Sequence, residues 1–442
     1  MKYWLSTLMA LTLATCALAE TPFEKHGRIR VAKVGTHLEH ADGTPFFFLA
    51  DTCWTGPALS AEKDWDTYLA DRKKKGFTAV QFNMVSPWRT APTDAEGNVS
   101  FTIQDGKLSL VEVFYKRLDA RLKAINDAGL LAVPILVWAH KKGDAGKELT
   151  DEQLIDLCKL QVERYSKVHV LWILAGDNQY TADADRWKKI GRAVFGDKHP
   201  NPVTTHPTGE TYPWNKWDDE KWLTVLGYQS GHGDSNKSMK WMTQGPVVEY
   251  AKKKEFTRPI INLEPPYEAH NGYSKKLPHS ELSVRRATYW SLLSAPVAGV
   301  TYGGHGVWSW HTKPGAEPTD HPGTGVAKIW SEALDLPAAG QMKHVRDLFE
   351  SVEWTKLRPA PNLLSTQPGT DDPAKFVASA ATPDDKIMVF YTPVGGTIPV
   401  KPFLRKRLES IEWFNPRTGE KSVGDDKYKT PDEQDWVLVI RR

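Results

Sequence analysis

Two acidic residues stand where a charge needs a reason. Asp177 closes the apolar run Val170-Leu171-Trp172-Ile173-Leu174-Ala175-Gly176, and Glu264 closes Ile260-Ile261-Asn262-Leu263. Paired carboxyls facing a cleft are the working parts of glycosidic-bond hydrolysis. One protonates the leaving oxygen, and the other attacks the anomeric carbon or activates water. In that division of labour one acid is ionised while the other keeps a proton near neutral pH, and unequal burial of two neighbouring acids splits their pKa values in this way. Plainer roles exist for both: a helix N-cap for Asp177 and a salt bridge for Glu264. Glu268 is the local rival of Glu264. Polar and aromatic residues at or just beyond the ends of other apolar runs are candidates to hold a sugar. Asp51, Asn83, His140, His206, Tyr228 and His305 offer hydrogen bonds to hydroxyls, and Trp54, Trp138, Trp308 and Trp310 offer flat apolar faces.

Other chemistries find less support. The run ends show neither a lysine for a Schiff base nor a glycine-rich phosphate cradle, and there is no G-x-S-x-G elbow. His206, His232 and His305 lack a His-x-x-x-His spacing or an acidic cluster, so neither a metal nor another cofactor is expected. Cys53 and Cys158 are the cysteines left beyond Cys16, too few for a disulfide framework. The even balance of 57 basic and 54 acidic residues argues against a nucleic-acid partner. The chain holds 18 Trp, which makes a carbohydrate partner a live idea, although core packing is the commoner use of such rings.

The acids need a scaffold that brings distant run ends together. Eight short apolar runs alternate with helical patterns: 46–52, 77–84, 130–138, 168–177, 202–206, 223–229, 259–264 and 299–302. Their near-continuous apolar character fits strands covered on both faces. The expected fold is a (β/α)8 barrel, with its site where strands end and loops begin. A doubly wound open sheet is the structural alternative. Helix signals lie between the runs: Ser60 as a cap with Gly76 as a stop, and Thr150-Asp151-Glu152-Gln153 as a capping box. The fifth run is weak, and the Trp214–Trp222 region obscures its helix. After Pro337 the pattern changes: a last helix around Met342 to Phe349 gives way to alternating strands and turns, which predicts an antiparallel, sandwich-like β-domain.

At the other end, Met1-Lys2, an apolar stretch from Trp4 to Ala14 and Ala17-Leu18-Ala19 read as a secretory signal peptide. The organisation expected is a signal peptide over 1–19, a catalytic barrel with a short N-terminal β extension over 20–354, and a β-domain over 355–442. Export to the periplasm or the exterior follows, with a lipid anchor on Cys16 as the rival reading. Nothing later in the chain is apolar for long enough to span a membrane.

Taken in order, the motifs resemble those of the apiosidase-like glycoside hydrolases, glycoside hydrolase family 140. The matching stretches are Asp42-Gly43-Thr44-Pro45-Phe46-Phe47-Phe48-Leu49-Ala50-Asp51-Thr52-Cys53-Trp54 and Tyr68-Leu69-Ala70-Asp71-Arg72-Lys73-Lys74-Lys75-Gly76-Phe77. Further ones are Ala175-Gly176-Asp177, Asn262-Leu263-Glu264-Pro265-Pro266-Tyr267-Glu268 and Tyr302-Gly303-Gly304-His305-Gly306-Val307-Trp308. Trp413-Phe414-Asn415-Pro416-Arg417-Thr418-Gly419 resembles the motif of the appended β-domain. The resemblance implies a retaining hydrolase, with Asp177 as acid/base and Glu264 as nucleophile, acting on apiose-containing side chains of the pectin rhamnogalacturonan II. One departure stands out: Gly176-Asp177 occupies the place where many barrel relatives carry Asn-Glu. A barrel glycosidase for another polysaccharide, and an inactive glycan-binding protein, are the competing readings.

Overall fold

Strands whose two faces are both covered must be apolar throughout, and the barrel strands here are buried along almost their whole length. The computed structural model describes residues 20–85, 93–211, 214–252, 257–319, 321–405 and 408–442. The expected leader, Cys16 included, lies outside the described residues. The strands are β1 (Phe48–Thr52), β2 (Ala79–Asn83), β3 (Leu131–Trp138), β4 (Trp172–Asn178), β5 (Val203–Pro207), β6 (Leu226–Gln229), β7 (Ile260–Glu264) and β8 (Gly299–Tyr302). They pair in parallel in the order β5-β4-β3-β2-β1-β8-β7-β6, the cyclic order of a (β/α)8 barrel. The seam falls between β5 and β6. There the Thr204 hydroxyl donates to the Val225 carbonyl (2.9 Å) and accepts the Gly227 N–H (3.0 Å).

The longer helices around the strands are α1 (Glu62–Lys74), α2 (Glu112–Asp127), α3 (Asp151–Arg164), α4 (Ala184–Phe195), α5 (Asn236–Gln244), α6 (Glu281–Leu293) and α7 (Pro337–Glu350). The capping box at α3 forms: the Thr150 hydroxyl accepts the Gln153 N–H, and the Gln153 side chain accepts the Thr150 N–H. Ser60 does not cap α1. A short helix over Gly56–Leu59 ends at Ser60, and Ala61 stands at the N-cap of α1. Between β5 and β6 the described residues hold only a 3-10 turn, Trp214–Lys216, where a barrel helix was expected. Buried indoles fill the space instead, with Trp217 and Trp222 at 5.6 Å and the Trp214 Nε1–H donating to the Gly227 carbonyl. Much of the tryptophan surplus is core of this kind: Trp65, Trp172, Trp187, Trp214, Trp217, Trp222 and Trp290 are all fully buried.

Beyond α7 a six-stranded antiparallel sheet forms, in the order β9 (Arg358–Pro359), β10 (Ala378–Ala381), β11 (Ile387–Thr392), β14 (Trp436–Arg441), β12 (Ser410–Phe414), β13 (Lys421–Val423). One face carries Val389, Tyr391, Val437 and Val439 into a single apolar cluster with Tyr289, Trp290 and Phe349 of α6 and α7. Tyr289 and Tyr391 stack at 4.5 Å, and Arg285 grips the Asp435 carboxylate with two 2.8 Å bonds. The opposite face packs Met388, Phe390 and Leu438 under Leu363, Ile398 and Leu404. Among the described residues no helix is long and apolar enough to cross a membrane.

Candidate active site

The C-terminal ends of the barrel strands surround a cleft of about 360 Å³, and both Asp177 and Glu264 line it. Asp177 is the last residue but one of β4 and has φ at 51°, a left-handed backbone that Asp tolerates better than most residues. Gly176 before it has no room for a side chain, since a Cβ would lie 2.1 Å from the Trp138 ring. The Asp177 carboxyl is 20% exposed to the cleft, with Oδ2 3.1 Å from Nδ1 of His140. Burial, and then the negative charge of Glu264, push its pKa up to about 6.

Glu264 has the opposite surroundings. His232 Nε2 lies 2.9 Å from Oε1, and His206 Nε2 lies 3.2 Å from Oε2. The far nitrogens of both rings are occupied: His232 Nδ1 accepts the Tyr267 N–H (3.2 Å), and His206 Nδ1 accepts the Asp177 N–H (3.4 Å). Each ring therefore carries its proton on Nε2 and presents it to the carboxylate. Burial alone would raise the Glu264 carboxyl. Hydrogen bonds from His206 and His232 outweigh it and hold the group well below the usual carboxylate range. One imidazole, His206, thus touches both acids, through the backbone of one and the side chain of the other. The cleft holds an acid poised to keep a proton beside one poised to lose it.

Of the other sequence candidates, Trp54, Trp138, His140 and Trp308 line the cleft. His206 is fully buried and meets Glu264 from behind, wedged against Trp54 and Trp138 at 5.5 and 5.9 Å. Six expectations are corrected, five of them because the side chain is engaged elsewhere. Asp51 accepts the Tyr68 hydroxyl (2.7 Å) and lies 3.3 Å from Arg72, both on α1. Tyr228 points outward, its hydroxyl bonded to Ser291 of α6. Glu268, the rival to Glu264, accepts the Tyr302 hydroxyl and the Ala338 N–H at the start of α7. His305 donates to the Gly325 carbonyl and accepts the Trp308 indole N–H (3.1 Å), so it holds Trp308 rather than sugar. Asn83 is buried at the end of β2 and does not reach the cleft lining. Trp310 likewise stacks on Trp330 at 4.4 Å, away from the site.

Sequence reasoning missed other lining residues: Lys141, Thr208, Gln229, His232, Tyr267, His270, Tyr273 and His321. Lys141 overturns the expectation of a rim without lysine. The signal for it was at hand, because it follows His140 directly. His232 was considered only as a metal ligand, whereas its work is on Glu264.

The paired acids in this cleft, together with a match to a family model, place the protein among the glycoside hydrolases. More narrowly, the chain belongs to the apiosidase-like family, whose catalytic-domain model matches residues 32–356. A second model, the putative collagen-binding domain of a collagenase, matches residues 359–441. Among solved structures the chain is similar to a glycoside hydrolase with 21% identity and a TM-score of 0.81, covering 96% of this chain and 98% of that one. It is also similar to a glycoside hydrolase family 5 protein from Bacteroides vulgatus ATCC 8482, with 20% identity, a TM-score of 0.78 and coverage of 96% and 95%. A putative glycoside hydrolase from the same strain follows at 17% identity and a TM-score of 0.65, over 94% and 82% of the chains. At such identities the likeness is one of fold. No curated protein matches the sequence.

Proposed function

We propose that the protein is an exported, retaining glycosidase of plant cell-wall polysaccharide, an apiosidase acting on the apiose-containing side chains of rhamnogalacturonan II. Asp177 is the acid/base and Glu264 the nucleophile. The observation that carries this reading is the pair of carboxyls in one cleft with opposite proton affinities, Asp177 raised to about 6 and Glu264 held low. In the first step Glu264 attacks the anomeric carbon, the glycosidic bond breaks, and the Asp177 proton passes to the leaving oxygen. In the second, Asp177 takes a proton from water, whose oxygen displaces Glu264 from the same carbon. The His206 and His232 N–H donors favour the free carboxylate, so they keep the nucleophile ready at the start and favour its release at the end. The apiosidase-like family supports the choice of sugar. Removal of 1–19 on export, a catalytic unit over 20–354 and a bracing β-domain over 355–442 complete the proposal.

The test is NMR of the first product released from rhamnogalacturonan II by the chain lacking residues 1–19. The fresh sugar should carry the anomeric configuration of the substrate. Inversion would refute the nucleophile, and absence of free apiose would refute the sugar. If Glu264→Gln and Asp177→Asn both kept wild-type rates, the residue assignments would fail.

A further inference from the structure

Tyr273 is the one Phe, Tyr or Trp side chain among the described residues that leaves more than half its surface in solvent, at 56%. In a chain with 18 Trp, 14 Tyr and 15 Phe, that exposure is an exception, and it falls on the rim of the catalytic cleft, which Tyr273 lines. The ring leans on His232 and His270 at steep angles, 80° and 75°, with centroids 5.6 and 6.1 Å away. Among the described residues no ring stacks parallel on it. Its backbone is well held. The Tyr273 N–H donates to the His232 carbonyl, and the Asp234 carboxylate accepts the N–H groups of Ser274 and Lys275. A short turn closed by Gly272 and Leu277 supports the loop, and Leu277 is itself 64% exposed. This is an apolar ledge on a rigid loop, continuous with the cleft and one ring removed from Glu264, since His232 touches both.

We infer that Tyr273 is the platform of a second sugar subsite, which takes a ring of the glycan other than the one being cleaved. An aromatic face matches the C–H face of a sugar ring, and a tyrosine with two side-chain torsions loses little conformational freedom on binding. Continuity with the cleft argues for the occupant: a glycan whose cleaved ring sits at the carboxylates can lay a neighbouring ring along this rim. The inference rests on the glycosidase reading and extends it to a neighbouring residue of the substrate.

The test compares two substrates. Rhamnogalacturonan II reaches past the cleaved ring, whereas apiofuranosyl fluoride ends in a single small atom. In Tyr273→Ala the ratio of kcat/KM for the polysaccharide to that for the fluoride should fall about tenfold, through KM. In Tyr273→Phe and Tyr273→Trp it should stay within about twofold, because the face is kept. An unchanged ratio in Tyr273→Ala overturns the platform, and so does an equal fall in Tyr273→Phe. If the wild-type protein hydrolyses neither substrate, the apiose reading fails, and the platform is then judged by binding. Glu264→Gln and Glu264→Gln/Tyr273→Ala are run through gels containing arabinan, xylan, galactomannan or β-glucan. Retardation of the single variant but not the double supports the subsite, and equal migration in every gel overturns it.

Discussion

Asp51 on β1 and Glu264 on β7 are both buried carboxyls near the ends of barrel strands, yet they are opposites electrostatically. Asp51 lies beside a full positive charge, the buried Arg72 guanidinium, which is itself set against the Tyr68 and Phe77 rings. Burial nevertheless pushes Asp51 up to about 6, and Arg72 offsets only part of that. Glu264 is flanked by two imidazoles, with no guanidinium or ammonium among the groups that set its pKa, and is held low. Geometry explains the contrast. Tyr68 and Arg72 both approach Oδ2 of Asp51, whereas each oxygen of Glu264 faces its own imidazole Nε2 at about 3 Å. Of these two buried acids, the one with an imidazole at each oxygen is the one held low. The first cluster ties α1 to the barrel wall, and the second opens on the cleft.

The largest effect expected from this contrast is on turnover. Glu264→Gln should lower kcat by on the order of 10⁴-fold while leaving the melting temperature nearly unchanged, as followed by sugar release and thermal unfolding. A large loss of stability would make the Glu264 cluster structural too and erase the difference. Asp51→Leu should do the reverse. It takes from buried Arg72 the nearer of its two carboxylates, leaving Asp71 at 3.5 Å, and should cost about 3 kcal/mol in urea unfolding, with KM of the folded fraction preserved. A smaller effect sharpens the role of the donors. His232→Phe removes the partner of Oε1, so the Glu264 pKa should rise, and the acid limb of the kcat/KM profile should move to higher pH, with about a tenfold loss near pH 5.

The smallest effect concerns Asp177. Its folded pKa of about 6 lies above its ordinary value near 3.8. The folded state therefore holds the proton more tightly than the unfolded chain. That preference stabilises the fold below about pH 4 and is lost as pH rises through 6. At pH 7–8 the ionised group is a burden on the fold, and Asp177→Asn, which cannot ionise, should gain about 1 kcal/mol there. The gain should vanish below pH 4, as urea titrations at the two pH values would show.

The barrel strands were legible because burial on both faces leaves an unbroken apolar run, and the run ends led to Asp177 and Glu264, which the structure brings to one cleft. The direction in which a side chain leaves its strand was not legible. Asp51 and Tyr228 sit near strand ends, but they face outward to Tyr68 of α1 and Ser291 of α6. His232, His270, Tyr273 and His321 were overlooked for a different reason. They lie in loops beyond the strand ends, where no periodicity marks a residue as facing the cleft. Ser60 misled as a cap because a four-residue helix, Gly56–Leu59, ends where α1 was read to begin.

The apolar cluster shared by α6, α7 and the C-terminal sheet has a practical meaning. Residue 356 is where the catalytic family's match ends, but the hydrophobic interior does not stop there. A shortened gene product ending at that point would present Tyr289, Trp290 and Phe349 to water and leave Arg285 without its carboxylate. It should precipitate rather than yield a working half. Whoever expresses, shuffles or transplants this enzyme handles one indivisible piece.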